Sequence, residues 1–435
     1  MLKVRLIPIV AFAALALPTH ALAQEQKLVP LMKDLFLSGV VLSTTPGGGG
    51  VVAHTPVFAN DPSVTPVTDL VQDISQQIGL QVSNVPLGSS SGGFTYQYDS
   101  SLGTFKRSTE SFGPAFAERA VNIGRGKLNF GMNYQHSKYT ALDDKDLESG
   151  AIAIFLPHQD IPSFVKGDMI EADLKMNLRS DTEAFFGNFG VTDKLDLGLV
   201  VPVEHVKMDL TYHEIIRDFA THASAPLIHR FGNGEKTDDV SESGSATGIG
   251  DMVVRAKLGL TSRGTQGFAL GVDLRLPTGD EENMLGTGAT QTHVFLIASG
   301  EQGKLGHHVN IGYTGSAGGT DVSNQFNYVG GVDYAATPKL TLVGDFVGRT
   351  YFDAKQLVDT TFAHTFQQGD TAPTETVQLS TVALDNGTLN SMLGTAGVKF
   401  NPGGTLLLSG HIVFSLNSAG LTRSVTGVFG FDYSF

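Results

Sequence analysis

The last strand of the chain limits most strongly what it can fold into. The sequence ends Arg423-Ser-Val-Thr-Gly-Val-Phe-Gly-Phe-Asp-Tyr-Ser-Phe435. In an extended backbone, successive side chains point to opposite faces. Val425, Phe429, Phe431, Tyr433 and Phe435 therefore share one face, and Thr426, Asp432 and Ser434 share the other. Apolar outside and polar inside, with period two, is the pattern of a strand that crosses a bilayer within a closed barrel. The competing reading is the edge strand of a soluble sandwich, which also alternates.

Recurrence of the pattern favours the barrel. Reading back from Phe435 gives twelve candidate strands, at 127–140, 168–190, 194–213, 247–262, 265–280, 289–301, 305–317, 325–336, 338–353, 389–401, 404–418 and 422–435. In the second, Ile170, Ala172, Leu174, Met176 and Leu178 alternate with Glu171, Asp173, Lys175, Asn177 and Arg179. Most candidates exceed the ~9–11 residues that a tilted strand needs to span a bilayer, and few sandwiches use strands so long. The connections supply an independent test. Short turns rich in Gly, Pro, Asn and Asp fall at 190–193, 262–265, 301–304, 336–339 and 401–404. The intervening connections, 141–167, 214–246, 281–288, 318–324, 354–388 and 419–421, include three long ones. Counting back from Phe435 puts every short turn at the same end as that residue. This is how outer-membrane barrels arrange periplasmic turns and outer loops. The expected fold is thus all-β, an antiparallel transmembrane barrel of about twelve strands. In the third strand the apolar set shifts from odd to even positions, so a bulge is expected near Glu204-His205. The sixth strand alternates poorly.

The N-terminus reads as an address. Lys3 and Arg5 precede an apolar stretch from Leu6 to Leu17, and Ala21-Leu22-Ala23 fits a signal-peptidase site, so residues 1–23 are expected to be a cleaved signal peptide. No run of 18 apolar residues follows, which excludes a helical membrane protein. Zero Cys excludes a disulfide scaffold and a cysteine nucleophile. A formal charge of −14 argues against a nucleic-acid partner. Residues 24–126 do not read as barrel. Leu28 to Leu37 suggests a short apolar helix. Val67, Leu70, Val71, Ile74 and Ile78 mark one face of another. Residues 94–99 and 103–107 suggest a hairpin. The expectation is a plug or periplasmic cap at 24–126 and a barrel at 127–435. The alternative is two further barrel strands at 93–109, giving fourteen.

Several stretches together resemble a known family. They are Pro86-Leu-Gly-Ser-Ser-Ser-Gly-Gly-Phe-Thr95, Ser111-Phe-Gly-Pro-Ala-Phe-Ala-Glu-Arg-Ala120, Ile123-Gly-Arg-Gly-Lys127, Gly248-Ile-Gly-Asp251, Asp273-Leu-Arg-Leu-Pro-Thr-Gly-Asp280 and Leu285-Gly-Thr-Gly288. This set is similar to the bacterial outer-membrane, transporter-like family known as "putative MetA-pathway of phenol degradation". The resemblance implies a barrel and a link to uptake of aromatic or other hydrophobic compounds. It implies no catalytic residues. A terminal Phe behind alternating aromatics likewise resembles the closing strand of outer-membrane barrels. There it acts as an assembly signal for the barrel-assembly machinery, a role that would fall to Phe431, Tyr433 and Phe435.

Alternation assigns a lumen face carrying both signs of charge: Glu171, Asp173, Lys175, Arg179, Asp196, Asp251, Arg255, Lys257, Asp273, Arg275, Asp333, Asp345, Arg349 and Lys399. Unpaired buried charge is costly, so these residues either line a wet, selective passage or brace a filled barrel. Loop acids at Asp280-Glu-Glu282 and Asp143-Asp-Lys-Asp146 lack EF-hand spacing and read as solvated. A rim hydrolase using Asp238, Asp239, His222 or His229 is a minor reading, and His307 is expected to face outward without a catalytic partner. The leading expectation is therefore a non-enzymatic channel in the bacterial outer membrane for passive uptake of a small hydrophobic ligand. It would touch outer-membrane lipids and need no cofactor or metal, and its oligomeric state is open. The runner-up is a closed structural or surface-interaction barrel.

Overall fold

A computed structural model describes residues 27–38, 42–43, 51–52, 67–84, 86, 88–89, 93–99, 104–107, 109–157, 167–219, 230–263, 266–318, 322–367 and 373–435. The expected signal peptide, His222 and His229 lie outside the described residues. The barrel strands are β1 (Leu128–Leu142), β2 (Met169–Gly190), β3 (Leu195–Arg217), β4 in two pieces (Thr237–Ile249 and Val253–Arg263), β5 (Gln266–Arg275), β6 (Thr290–Gln302), β7 (Leu305–Ala317), β8 (Gln325–Thr337), β9 (Leu340–Gln367), β10 (Thr374–Gly403), β11 (Leu406–Ser415) and β12, also in two pieces (Leu421–Arg423 and Thr426–Ser434). Each pairs antiparallel with the next. β1 pairs with both β12 and β2, which closes the ring. The hairpin Tyr96–Asp99/Thr104–Arg107 pairs only with itself, so the barrel has twelve strands and not fourteen.

The short turns and Phe435 share one end, as the connection lengths require. Next to that end the outer face is apolar and exposed on strand after strand, as at Leu197, Leu258, Phe268, Leu296, Ile311 and Phe429. Phe431, Tyr433 and Phe435 also face outward, Phe435 being 63% exposed.

Toward the long-loop end the pattern inverts. Glu171, Asp173, Lys175 and Arg179, expected in the lumen, face outward, while Ala172, Leu174, Met176 and Leu178 are buried inside. Glu171 meets Arg217 at 2.5 Å, and Arg179 Nε donates to Asn177 at 3.1 Å, both on the outer face. The cause is length. β2 and β3 run for 22 and 23 residues, about twice what a tilted bilayer crossing needs. The surplus stands clear of the apolar belt, so its outer face meets water and its inner face meets protein. The same inversion explains the phase shift in β3, whose outward residues pass from Leu197 and Leu199 to His205 and Lys207. β2 and β3 pair without a register shift from Met169↔Arg217 to Gly190↔Asp196, so the bulge expected at Glu204-His205 is absent. Strand structure also replaces much of the expected outer loops. β9 and β10 pair on to Gln367↔Thr374, past a bulge at Tyr351/Ala354 where Asp353 has φ +53°, and β4 begins at Thr237 rather than 247.

Two helices occupy the inverted half. α1 (Leu28–Ser38) buries Leu28, Leu31, Met32 and Leu35, and α2 (Val67–Ser83) buries Val71, Ile74, Ile78 and Val82. These spacings line one helical face. They pack into a single cluster with the inward side chains of β2 and β3, including Leu174, Met176, Met208 and Tyr212. The Tyr212 hydroxyl donates to the Met32 carbonyl at 3.1 Å. The two helices thus sit inside the long-loop half of the barrel. The sixth strand is regular. Its weak alternation arises because Phe295 and Ile297 point inward against Ala120.

Candidate functional site

Below the helices, residues 109–126 cross the lumen without regular secondary structure. An irregular segment leaves its own amides and carbonyls to be satisfied elsewhere, and here the barrel wall satisfies them. Glu301 accepts from the amides of Glu110 and Ser111, at 2.9 and 3.1 Å. Thr341 accepts from Phe112 at 3.0 Å. Asp345 accepts from three successive amides, Ala115, Phe116 and Ala117, at 2.9, 3.2 and 3.4 Å. Asn310 holds both the amide and the carbonyl of Glu118, at 2.7 and 3.1 Å. Ser299 takes Ala120, and Asp196 takes Ile123. Wall cations hold the carbonyls. Lys399 donates to Pro114 at 2.6 Å, and Lys257 to Arg119 and Val121 at 3.2 and 3.1 Å. Gly331 faces this segment, and a Cβ there would lie 2.9 Å from that of Ala117.

Charges within the plug are also matched. Arg255 binds Asp273 through two bonds of 2.6 Å and Glu118 at 2.5 Å. Arg119 is 2% exposed and donates to Thr109. Asp333, buried on the wall, is paired with His308. Asp196, Arg255, Lys257, Asp273, Asp333, Asp345 and Lys399 are thus lumen-facing, but what they contact is largely the plug and each other.

Asp251 is not on a strand. It lies in the break between the two pieces of β4 and clasps the loop after β5, accepting from the Gly279 amide at 3.1 Å and from the Thr287 amide and hydroxyl at 2.9 and 2.8 Å. Gly286 and Gly279 touch so closely that a Cβ on Gly286 would lie 2.8 Å from the Gly279 backbone. Three of the stretches that carried the resemblance, 248–251, 273–280 and 285–288, therefore meet in one clasp. At the tip of that loop Asp280 pairs with Lys27, ahead of α1. Burial pushes this carboxyl up, but the Lys27 and Asn283 donors outweigh it and hold it below its usual range.

Asp143 is not a solvated loop acid either. It accepts from the amides of Leu357 and Gly420 at 2.8 and 2.7 Å, tying the loops after β1 and β11 to the extended part of β9, and burial raises its pKa. At the rim, Asp239 lies 2.7 Å from His213 Nδ1, exposed on the outer face of β3 and β4. His307 faces outward and His308 inward.

Between the plug and the end of α2 lies a cavity of about 140 Å³. Phe116 and Glu118 border it from the plug, and Asn84 and Pro86 from the chain that follows α2. Phe295, Val329 and Val347 supply apolar wall. The imidazole of His293 stacks on Phe295, with centroids 4.4 Å apart. Arg275 and Arg349 also line it. Arg275 donates to the Ser83 carbonyl at 3.0 Å and Arg349 to that of Asn84 at 2.6 Å. Sequence reading placed these arginines on the lumen face. Pro86, Phe116 and Glu118 stand in stretches that carried the family resemblance, but nothing in the sequence placed them against the arginines, because the plug has no periodicity to read.

A family model described as "Putative MetA-pathway of phenol degradation" matches residues 173–374. The chain resembles that family. The matched stretch runs from β2 into the connection between β9 and β10 and contains the Asp251 clasp. No curated protein matches the chain. Among solved structures, an outer membrane channel from Pseudomonas putida F1 shares 12% identity with a TM-score of 0.42, covering 73% of this chain and 98% of that one. A FadL homologue of Pseudomonas aeruginosa shares 11% identity at a TM-score of 0.32, covering 72% and 90%. The toluene transporter TbuX of Ralstonia pickettii shares 11% identity at a TM-score of 0.27, with the same coverage.

Proposed function

We propose that the protein is an outer-membrane channel that admits small aromatic or similarly hydrophobic molecules, with the short-turn end in the periplasm. The observation that carries this reading is the cavity of about 140 Å³ between α2 and the plug. A cavity of roughly 150 Å³ is large enough to hold benzene, and Phe116, Phe295, Val253, Val329 and Val347 give this one an apolar part within a largely polar lining. The family resemblance and the outward apolar belt support the same reading, and the belt would meet the outer-membrane lipids. The plug closes the periplasmic side, so passage requires it to shift. Phe431, Tyr433 and Phe435 would serve the assembly machinery.

The test is uptake of a labelled aromatic at low concentration by a Gram-negative host stripped of its own channels. Cells carrying the full chain should take it up faster than cells with an empty vector. Equal rates, with folded protein in the outer membrane, would overturn the proposal. A second reading has its own support: the wall charges grip the plug through both its amides and its carbonyls, as they would in a permanently closed structural barrel. In that case a variant with a loosened plug would conduct ions and the native chain would carry nothing.

A further inference from the structure

Of the lumen cations Arg255, Lys257, Arg275, Arg349 and Lys399, three are tied to plug or wall partners, and two stand apart. Arg255 is saturated by Asp273 and Glu118. Lys257 and Lys399 are spent on plug carbonyls. Arg275 and Arg349 each reach only main-chain or amide oxygens, at Ser83 and Asn84. Neither has a carboxylate within 4.0 Å among the described residues. Of the carboxylates that face Arg275 from farther off, Asp251 is committed to its clasp and Asp273 to Arg255, and Glu204 is buried on β3.

A guanidinium carries five N–H donors, so the carbonyl contacts leave donors on each side chain. Because the two arginines bind consecutive carbonyls, their charges converge on one spot at the edge of the cavity. Two like charges this close in a confined site repel each other. A single carboxylate between them would relieve the repulsion and use their planar donor sets. Behind them Phe116, Phe295, Val329 and Val347 add apolar wall among polar groups such as Gln291, Asn310 and Asn327, and the two carboxylates of the lining, Glu118 and Asp273, are bound by Arg255. Cationic donors beside a partly apolar space about the size of one ring suit an amphipathic anion. A neutral hydrocarbon would leave the spare donors of both arginines unused.

We infer that the cavity binds a small aromatic carboxylate, with Arg275 and Arg349 recognising the carboxyl group and the apolar wall taking the ring. This rests on the channel reading above and narrows its substrate class from aromatic and hydrophobic compounds at large to aromatic anions.

The experiment is calorimetric titration of the full chain in detergent with benzoate and with benzyl alcohol, which has the ring but no charge. The native protein should bind benzoate at least tenfold more tightly. Arg275→Gln and Arg349→Gln should each weaken benzoate binding about tenfold and leave benzyl alcohol unaffected, with heat-modifiable gel mobility confirming the barrel. Equal affinity of the native protein for the two ligands would overturn the inference without any variant. So would variants that fold, keep their preference for benzoate and lose only thermal stability, since the arginines would then merely cap α2. If benzyl alcohol binds and the labelled aromatic enters cells but benzoate shows no advantage, the carboxylate inference alone fails. If neither ligand binds and no uptake occurs, the channel reading fails with it.

Discussion

Asp345 offers the sharpest handle on how firmly the plug is held. Its carboxylate accepts from the amides of Ala115, Phe116 and Ala117, and all three residues sit inside the barrel. Asp345→Ala removes every one of these acceptors. Each buried amide left without a partner costs about 1–3 kcal/mol, so the loss lies between about 3 and 9 kcal/mol, nearer the lower figure where water refills the space. The loss falls on the plug in its docked position, because the β8–β9 and β9–β10 ladders are made by backbone and do not use this side chain. Every 1.4 kcal/mol is about tenfold in an opening equilibrium (RT-scale arithmetic). Amide exchange across 109–126 should therefore accelerate about a hundredfold or more, while β8 to β10 keep their protection. Mass spectrometry of exchanged, digested protein reads both regions in one sample. In a planar bilayer the same variant should show more frequent or larger current steps than the native chain. Unchanged exchange in the plug, or equal acceleration across the barrel strands, would refute the view that this carboxylate pins the plug locally.

Three further outcomes follow from the same contacts. Arg255→Met leaves Glu118 and Asp273 buried without their cation, which should cost about 3–5 kcal/mol and lower the temperature at which the barrel unfolds on a gel; adding Glu118→Gln and Asp273→Asn should recover much of it. Asp251→Ala should free the clasped loop, so that limited proteolysis cuts between Gly279 and Gly288, where the native chain resists. The Lys27–Asp280 contact holds the Asp280 carboxyl below its ordinary value of 3.8. A lowered carboxyl pKa gives stability that is present above the unfolded value and lost as pH falls through the folded one. Exchange protection of α1 should therefore hold near neutral pH and weaken below that value, by a modest amount because the pair is part-exposed, and Lys27→Ala, which leaves only the Asn283 donors on the carboxyl, should reduce this pH dependence.

The barrel was legible because it is periodic. Alternation, turn composition and the parity of long and short connections each specified strands, and β7, read as 305–317, lies at Leu305–Ala317. The facing of the upper half was not legible from the same pattern. Period-two alternation reports that the two faces of β2 differ, not which medium each meets. Ile170, Ala172 and Leu174 look the same in sequence whether lipid or a packed helix lies against them. Strand length held the missing information: a strand of 22 residues cannot keep both halves in one bilayer. With length taken into account, the apolar set of β2 belongs inside and the apparent bulge in β3 becomes a change of surroundings.

The lumen charges show a different limit. Their inward direction followed from alternation for Arg255, Asp345 and Lys399, but their partners did not, since Asp345 and Ala115 stand 230 residues apart. For Asp345 and Lys399 the partners are backbone groups, which any residue carries, so no side-chain pattern marks them. This bears on how such a barrel could open. A plug held by side chain to side chain bonds could swap one set of partners for another as it moved. A plug held through its own amides and carbonyls must leave each wall acceptor and donor unsatisfied unless water arrives with the motion. Opening should therefore be hydrated. Asp345 and Asn310 grip the middle through consecutive residues, and the far end is held through Val121, Asn122, Ile123 and Gly126 as well. The Phe116–Glu118 stretch that floors the cavity is held at every amide, so a ligand that displaced it from above would have to break all three of these bonds.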